Sequence, residues 1–228
     1  MKFRRRKAAR PQEIVDAAAD VFAEKGFAAS KLEDIGKRAG ISKGTLYLYY
    51  PTKEALFEAV VKSYASSTLS DMQDLIANAE GSIVDFLPRL FAAALEKIGT
   101  SRIPAVAKMV ISEAGNFPEL ARLWQSQVIA PMLAAFRERI RREQSSGQIA
   151  AGPPELYAIC MMSPMVISLL LREAFGGTLM PPELLAQLPG IHSRVLSQGL
   201  SGAAPKRPGK KAAQPSRIRK VSPNKGAV

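Results

Sequence analysis

The chain has 228 residues, enough for one or two domains with a sizeable core, and its 47% hydrophobic and 23% charged residues exclude collagen-like, disulfide-rich and wholly disordered proteins. The net charge of +12 lies at the two ends: residues 1–10 hold six basic residues, residues 200–228 hold eight, and neither range holds an acidic residue. The 18 basic and 20 acidic residues between them leave the body of the chain close to neutral.

The first predicted element is a basic arm over residues 1–10. It does not resemble an export signal, because no apolar stretch follows the run Arg4–Arg6 and acidic residues begin at Glu13. A basic segment at each end of a chain is typical of proteins that bind a polyanion, either nucleic acid or an anionic membrane surface. Two alternative explanations are that the tails only increase solubility, or that they reflect the composition of the genome.

Four helices follow the arm, and the first two have recognisable end signals. Pro11 suits the first position of the first helix, whose apolar residues recur on one face and which Gly26 ends. Ser30 and Glu33 form a capping box for a second helix of about nine residues, which ends at Gly40. The third and fourth helices are predicted from hydroxyl caps.

Ser42 caps the third helix, over residues 43–49, and Pro51 cannot continue it. Thr52 caps the fourth helix, which carries an apolar stripe from Leu56 to Tyr64 and is predicted to run to about residue 79. Both predicted caps place a hydroxyl oxygen where the first backbone N–H groups of a helix lack partners.

Beyond Gly81 the predicted helices are longer and more apolar, and glycine and proline mark their ends. We expect Pro189-Gly190 to interrupt the last helix, and we expect residues 201–228 to be disordered because they have almost nothing to bury. The uncharged apolar stretch Leu156–Leu171 falls short of the roughly 20 residues of a membrane span, which favours a buried interface helix. The predicted helices lie near 82–99, 102–114, 118–145, 154–174 and 182–199.

The single cysteine and the single histidine restrict the chemistry of the chain. They exclude an internal disulfide and a cysteine metal cluster, and they disfavour a multi-histidine zinc site and a Ser-His-Asp hydrolase. Cys160 lies in the apolar stretch without a basic neighbour, so we expect a buried, inert thiol rather than a redox sensor. We expect His192 on a helix surface, and we predict no catalytic residue, metal or cofactor.

The second and third helices, joined by the tight turn Gly40-Ile41-Ser42, match a helix-turn-helix. In that motif the second of the two helices enters the major groove with its N-terminal residues toward the bases. Two short capped helices also suit an ordinary helical hairpin. Three tyrosines within residues 47–50 favour nucleic acid, because a helix used only for packing would carry leucine, isoleucine and alanine.

Individual side chains of this motif suit contacts with DNA. Lys43 can donate to a guanine edge, Gly44 allows the backbone to approach closely, and Thr45 can reach a base or a phosphate. Tyrosines and the lysine that begins the fourth helix can donate to phosphates, and the arginines of the arm can enter a minor groove. The predicted DNA-contact residues are Arg4, Arg5, Arg6, Ser30, Lys31, Ser42, Lys43, Gly44, Thr45, Tyr47, Leu48, Tyr49 and Lys53.

Two segments, FAEKGF (22–27) and SKLEDIGKRAGISKGTLYLYYPTKEALF (30–57), carry a family resemblance. Together with their flanks, from Ile14 to Val61, they resemble the N-terminal DNA-binding domain of the tetracycline-repressor (TetR/AcrR) family of bacterial regulators. Residues 112–124, SEAGNFPELARLW, are similar to the C-terminal domain of the same family. The resemblance implies an all-helical homodimer whose C-terminal domain binds a small molecule and whose last two helices form an intersubunit four-helix bundle.

Three positions depart from the family pattern. Gly36 stands where alanine is usual, Tyr50 where phenylalanine is usual, and Leu48 where many members have histidine or an aromatic residue. The hydroxyl of Tyr50 needs a partner, and any contact made by Leu48 is apolar.

A pocket in the C-terminal half would face few charged residues, so we expect an apolar or aromatic effector. Methionine and aromatic residues at helical spacing are more often core residues than ligand contacts. Trp124, the single tryptophan, follows a proline-interrupted segment and is a better candidate for a ligand contact than the methionines and other aromatic residues. The candidate lining residues are Phe86, Leu90, Met109, Phe117, Trp124, Met132, Met161 and Met165.

These features predict an all-α protein, made of a basic arm (1–10), a helix-turn-helix domain (11–52), a connecting helix (53–80), a ligand-binding and dimerisation domain (81–200) and a disordered basic tail (201–228). The predicted function is a homodimeric, cytoplasmic and nucleoid-associated transcriptional regulator. We expect a repressor that a small, mainly apolar effector releases from an inverted-repeat operator, without a membrane partner. The alternative is a largely non-specific architectural DNA-binding protein that uses its basic tails. An enzyme has little support, because phosphate-loop glycines and a nucleophile–base pair are missing.

Overall fold

The computed structural model describes residues 10–99 and 101–200, and every regular element within these ranges is helical. This confirms the predicted all-α fold with an N-terminal helix-turn-helix. The helices are α1 (Arg10–Ala29), α2 (Leu32–Arg38), α3 (Lys43–Tyr49), α4 (Lys53–Asn78), α5 (Ile83–Lys97), α6 (Ile103–Glu113), α7 (Pro118–Trp124), α8 (Ala130–Ser145), α9 (Pro154–Phe175) and α10 (Pro182–Leu200).

The end of α1 follows the prediction in part. Gly26 leaves the helical conformation with φ +77°, a region that L side chains rarely adopt, although the chain resumes helical turns up to Ala29 beyond this kink. A side chain at Gly26 would also stand 2.8 Å from a carboxylate oxygen of Glu113. Glycine at this position therefore permits both the kink and the close approach of α6.

The predicted capping box at Ser30 is wrong. The helix α2 begins at Leu32, and its N-cap Lys31 makes no side-chain capping hydrogen bond. The buried Ser30 hydroxyl instead donates to the carbonyls of Gly26, at 2.5 Å, and Val21, at 3.3 Å. Backbone carbonyls of α1 compete with the α2 amides for this buried hydroxyl, and the tertiary structure decides the outcome.

The two other predicted caps are confirmed. Ser42 Oγ accepts a hydrogen bond from the Thr45 amide at 3.1 Å, and Thr52 Oγ1 accepts one from the Ala55 amide at 3.0 Å. Residues 43–49 are helical as predicted, and α4 continues for 26 residues, about 39 Å at the usual rise per residue.

Two apolar cores lie along α4. Its first half contributes Leu56 and Phe57 to a core shared with α1, α2, α3, α6 and α7. Its second half contributes Met72 and Ile76 to a core shared with α5, α8 and α9. The helix-turn-helix segment is therefore packed against α6 and α7, and α4 connects it to the second core.

The predicted single helix over residues 118–145 contains a π turn, Gln125–Ile129, between α7 and α8. The amide of Ala130 donates to the carbonyl of Gln125, five residues back, just before Pro131. A proline has no N–H and its ring crowds the carbonyl four residues earlier, so a widened turn accommodates it without ending the helix.

The predicted interruption at Pro189-Gly190 is wrong, because α10 is continuous from Pro182 to Leu200. Pro189 is buried, and beyond it the Ser193 hydroxyl donates to the Val84 carbonyl of α5 at 2.8 Å. Packing along α5 holds both halves of the helix in line despite the missing N–H.

The apolar helix α9 is only partly buried. Ala158 and Met161 face the second core, whereas Ile159, Ile167 and Cys160 are exposed, so the expectation of a buried Cys160 is wrong. Among the described helices, α9 alone is long and apolar enough to cross a membrane by length and composition, with a mean hydropathy of 1.6. A core helix of a soluble protein meets the same criterion.

His192 on α10 is partly buried rather than lying on the surface. Its ring stacks on Phe91 with the ring centroids 5.7 Å apart, and its Nε2 atom is buried without a hydrogen-bond partner among the described residues. Burial lowers the pKa of His192, and backbone hydrogen bonds with Met161 and Cys160 oppose this only in part.

Protonation of His192 is therefore expected to oppose folding. The unfolded chain binds this proton more readily than the folded one, so the free energy of unfolding should decrease as the pH falls through about 6.5. Urea denaturation between about pH 7.5 and 5.5, at fixed protein concentration, measures this decrease. A His192→Phe variant keeps an aromatic ring and should show a weaker decrease. Equal slopes for both proteins would contradict the prediction.

Candidate nucleic-acid interface and internal cavity

The helix α3 is anchored to the core by a single buried side chain, Leu46. Tyr47 and Tyr49 are each 41% exposed, and Leu48 is 86% exposed. Leu48 therefore contributes little to the packing of α3, and each tyrosine keeps about two fifths of its surface in contact with solvent. The outer face of this helix is therefore available for contact with another molecule, as the sequence predicts for a recognition helix.

Lys43 begins α3 and lies beside an acidic residue of α2. Its ammonium forms an ion pair with the carboxylate of Glu33 and stands 5.7 Å from the Tyr47 ring centroid. The hydrogen bond between these two charged groups raises the pKa of Lys43 and lowers the pKa of Glu33. Both side chains are exposed enough for an approaching phosphate or base to compete for the ammonium.

Polar groups at the start of α3 are ordered by one another. The hydroxyls of Ser42 and Thr45 are 2.8 Å apart, and Ser42 also caps the helix. A methyl group added at Gly44 would meet only the Ser42 hydroxyl, at 4.0 Å. The internal packing of the protein does not require glycine there, whereas close approach of a DNA backbone would.

Lys53 is predicted to contact a phosphate, whereas in the structure its ammonium forms hydrogen bonds within the protein. Its ammonium donates to the carbonyls of Phe27, Ala28 and Ser30 at 2.6, 3.3 and 3.1 Å, and it lies 4.4 Å from the Phe27 ring centroid. These bonds use all three of its donors and join the start of α4 to the α1–α2 junction. Ser30 is buried, whereas Lys31 is exposed, and Arg4, Arg5 and Arg6 lie outside the described residues.

Replacement of Lys53 by methionine is expected to reduce the free energy of unfolding by about 1.5–3 kcal/mol, because three charge-assisted hydrogen bonds are lost. Urea denaturation measures this change. The exposed Lys31→Ala variant is the control and should alter stability by less than about 0.5 kcal/mol. A Lys53→Met protein of normal stability whose DNA binding has a salt slope smaller by about 0.9 would instead support the phosphate contact.

A cavity of about 150 Å³ lies between the two apolar cores. Helices α4, α6 and α9 and the π turn form most of its wall, and among the described lining residues only Thr68 and Trp124 have a side-chain oxygen or nitrogen atom. The lining residues are Thr68, Leu69, Met72, Ile98, Ile103, Pro104, Ala107, Ile111, Trp124, Val128, Ile129, Met132, Met162, Met165, Val166, Leu169 and Leu170.

Three of the eight predicted pocket residues, Trp124, Met132 and Met165, lie in this wall. The others lie elsewhere: Met109 in the first core, Leu90 and Met161 in the second core, Phe117 against Phe27 with centroids 5.0 Å apart, and Phe86 beside a separate surface groove. The sequence analysis missed the α6 part of the wall, which includes Ile103, Pro104 and Ala107. It chose pocket candidates mainly among aromatic and methionine residues, and these three residues are neither.

The α6 wall of the cavity also contacts α1. Arg102, just before α6, donates to the Asp20 carboxylate at 2.5 Å, and this bond raises the pKa of Arg102. At the other end of α6, Glu113 accepts a hydrogen bond from the Ala28 amide at 3.1 Å. A shift of α6 would therefore be transmitted to α1 at both ends.

Tyr64 of α4 adds a further contact with α1. Its hydroxyl donates to the Asp16 carboxylate at 2.5 Å, and its ring lies 5.9 Å from the Arg102 guanidinium. Burial and this hydrogen bond raise the pKa of Tyr64 to about 12. The contact joins α1 to α4 beside the cavity.

Two family models match the chain over more than half of its length. One describes bacterial regulatory proteins of the tetR family and matches residues 14–60. The other describes the tetracyclin repressor-like C-terminal domain and matches residues 77–180. The first contains the helix-turn-helix, and the second contains most of the cavity wall.

Similar proteins include several regulators. The transcriptional repressor Rv1474c of Mycobacterium tuberculosis is 26% identical over 82% of this chain and 94% of its own length. The Bacillus subtilis regulator YvdT is 33% identical, but the match spans 33% of this chain and 40% of YvdT. A solved structure described as a TetR-family regulator from Mesorhizobium loti, 24% identical, has a TM-score of 0.69 and covers 86% of this chain and 99% of its own.

Proposed function

The chain belongs to the TetR family of bacterial transcriptional regulators, and from this premise we propose that it is a homodimeric repressor that a small apolar effector releases from an inverted-repeat operator. The observation that carries the DNA-binding part is the outer face of α3, where Tyr47, Leu48 and Tyr49 are exposed beside Lys43. We place the protein in the cytoplasm, at the DNA of the nucleoid.

Each exposed group of α3 has a proposed role in reading the operator. Lys43 exchanges its carboxylate partner for a guanine edge or a phosphate, and Thr45 contacts a base or a phosphate. Leu48 contacts a thymine methyl, and Tyr47 and Tyr49 donate to phosphates that fix the register. Arg4, Arg5 and Arg6 follow the adjacent minor groove.

The proposed dimer uses the exposed apolar side of α9 and α10. These side chains are 48–61% exposed in the single chain, which is unusual for so many large apolar residues on two neighbouring helices. Pairing with the same face of a second copy would form a four-helix bundle and remove them from water. They are Leu156, Ile159, Ile167, Phe175, Leu184, Ile191 and Val195.

The proposed effector occupies the cavity between the two cores. A cavity of about 150 Å³ with an almost wholly apolar wall suits a molecule of roughly the size of one aromatic ring. Such an occupant would press on α6 and the π turn. Since α6 is bonded to α1 at both ends, its displacement would change the spacing of the two α3 helices, which must lie about one DNA turn, 34–36 Å, apart.

In vitro selection of genomic fragments tests the DNA-binding proposal. At about 150 mM salt, where non-specific phosphate contacts are weakened, the protein should enrich a few sites that share an inverted repeat. A Tyr47→Ala, Leu48→Ala variant should lose this enrichment and keep its fold, because both side chains are exposed. Broad recovery without a shared sequence would contradict the proposal and favour the architectural DNA-binding protein.

A further inference from the structure

Two neighbouring carboxylates of α2 face different helices. Asp34 forms an ion pair with Lys25 of α1 at 2.8 Å and so joins α2 to α1. Glu33 instead forms an ion pair with Lys43 of α3, and its side chain is 42% exposed. Because the Lys43 ammonium also stands 5.7 Å from the Tyr47 ring centroid, Glu33 lies at the edge of the surface that α3 presents to another molecule.

Glu33 depends on Lys43 for its partner at this surface. Lys43 is the one charged residue of α3, and it is the cation with which Glu33 is paired. A DNA contact that draws the ammonium away leaves an anion beside the negatively charged duplex, which is unfavourable. Since a carboxylate only accepts hydrogen bonds, this exchange costs least where the DNA offers Glu33 a donor in place of Lys43.

One base pair offers that arrangement in the major groove. Guanine presents two acceptors, N7 and O6, and the cytosine paired with it presents an amino donor at N4. An ammonium bonded to the guanine and a carboxylate bonded to the cytosine remain neighbours, as Lys43 and Glu33 are in the structure. Adenine also has an amino donor, but this donor lies between two acceptors, adenine N7 and thymine O4, which repel a carboxylate.

We propose that Glu33 accepts a hydrogen bond from the cytosine of a G·C base pair whose guanine is bound by Lys43. Two side chains from two helices then read both strands of one base pair, and Glu33 is a specificity-determining residue. This inference rests on the proposed function, since it requires α3 to lie in the major groove of an operator. If Glu33 only restrained Lys43, its removal would strengthen binding to every sequence alike.

Selection of genomic fragments by the unaltered protein is the first step, and it tests the proposed function separately. A shared inverted repeat with a G·C base pair in each half-site is expected. Each base pair of a short operator duplex is then replaced in turn, and the affinity of each protein is measured at about 150 mM salt.

Replacement of the G·C pair by A·T should weaken binding of the unaltered protein by about 5- to 100-fold. Glu33→Gln should reduce this factor to less than about threefold, because an amide both donates and accepts and therefore tolerates either base pair. Lys43→Met should reduce the same factor at the same base pair, and no other position of the half-site should change for Glu33→Gln.

Glu24→Gln is the matched control, since it removes an exposed carboxylate from another ion pair between helices, that with Arg38 at 2.5 Å. It should leave every base preference unchanged. The three variants should keep their helical circular dichroism, because each altered side chain is at least 42% exposed.

Base preferences of Glu33→Gln equal to those of the unaltered protein, with or without a uniform gain in affinity, would overturn the inference. Relaxation by Glu33→Gln and Lys43→Met at different base pairs would overturn it too. If the unaltered protein selected no shared sequence, the proposed function itself would be contradicted, and the inference with it.

Discussion

Replacing Ile159 and Ile167 by glutamate is expected to separate the proposed dimer into single chains and to abolish operator binding. Both side chains lie on the exposed side of α9, at 48% and 52% exposure, and the two-fold symmetry of a dimer repeats each substitution. Uncompensated charges in a buried interface destabilise by about 3–5 kcal/mol, which raises the dissociation constant of the dimer by about 100- to 1,000-fold or more. Sedimentation velocity and operator titration measure both effects.

A substitution on the other exposed apolar surface is the control for this experiment. Leu48→Glu introduces the same charge at an 86% exposed position of α3. It should leave the sedimentation coefficient unchanged and abolish operator binding through the DNA contact alone. All variants should keep their helical circular dichroism, because every altered side chain is exposed. An unchanged dimer for the α9 double variant would show that the subunits pair elsewhere.

A buried ion pair holds the turn between α4 and α5 against α8. Arg139 donates to the Glu143 carboxylate at 2.5 Å, and the side chains are 10% and 4% exposed. The same carboxylate accepts hydrogen bonds from the Ile83 amide at 2.8 Å and the Ser82 hydroxyl at 3.0 Å. Glu143 therefore satisfies one buried cation and two polar groups at the start of α5.

Glu143→Ala is expected to reduce the free energy of unfolding by about 3–5 kcal/mol, because it leaves the Arg139 guanidinium buried and unpaired. Urea denaturation followed by circular dichroism measures the loss. Glu138→Ala, at an exposed position of the same helix, is the control and should change stability by less than about 0.5 kcal/mol. An Arg139→Met, Glu143→Leu protein should recover part of the loss. A Glu143→Ala protein of normal stability would contradict a structural role for the pair.

The sequence by itself determined the elements whose ends depend on neighbouring residues. Examples are the caps at Ser42 and Thr52 and the bounds of α3. Each cap is a hydrogen bond between residues three apart, so the local sequence is enough to predict it. The exposed groups of α3, from Lys43 to Tyr49, were predictable for the same reason, since a short helix with one anchoring residue must present its other side chains outward. Contact of these α3 side chains with DNA stays a prediction.

The tertiary structure decided those features in which groups far apart in the sequence compete for the same hydrogen bonds or the same space. Ser30 bonds to carbonyls of α1 instead of capping α2, and Lys53 bonds to the α1–α2 junction, because the fold brings these carbonyls within reach. Pro189 stays inside α10 because packing on α5 outweighs the lost hydrogen bond. The cavity is a gap between two cores that meet along α4, so its wall depends on how five separate helices pack and not on the pattern of any one of them.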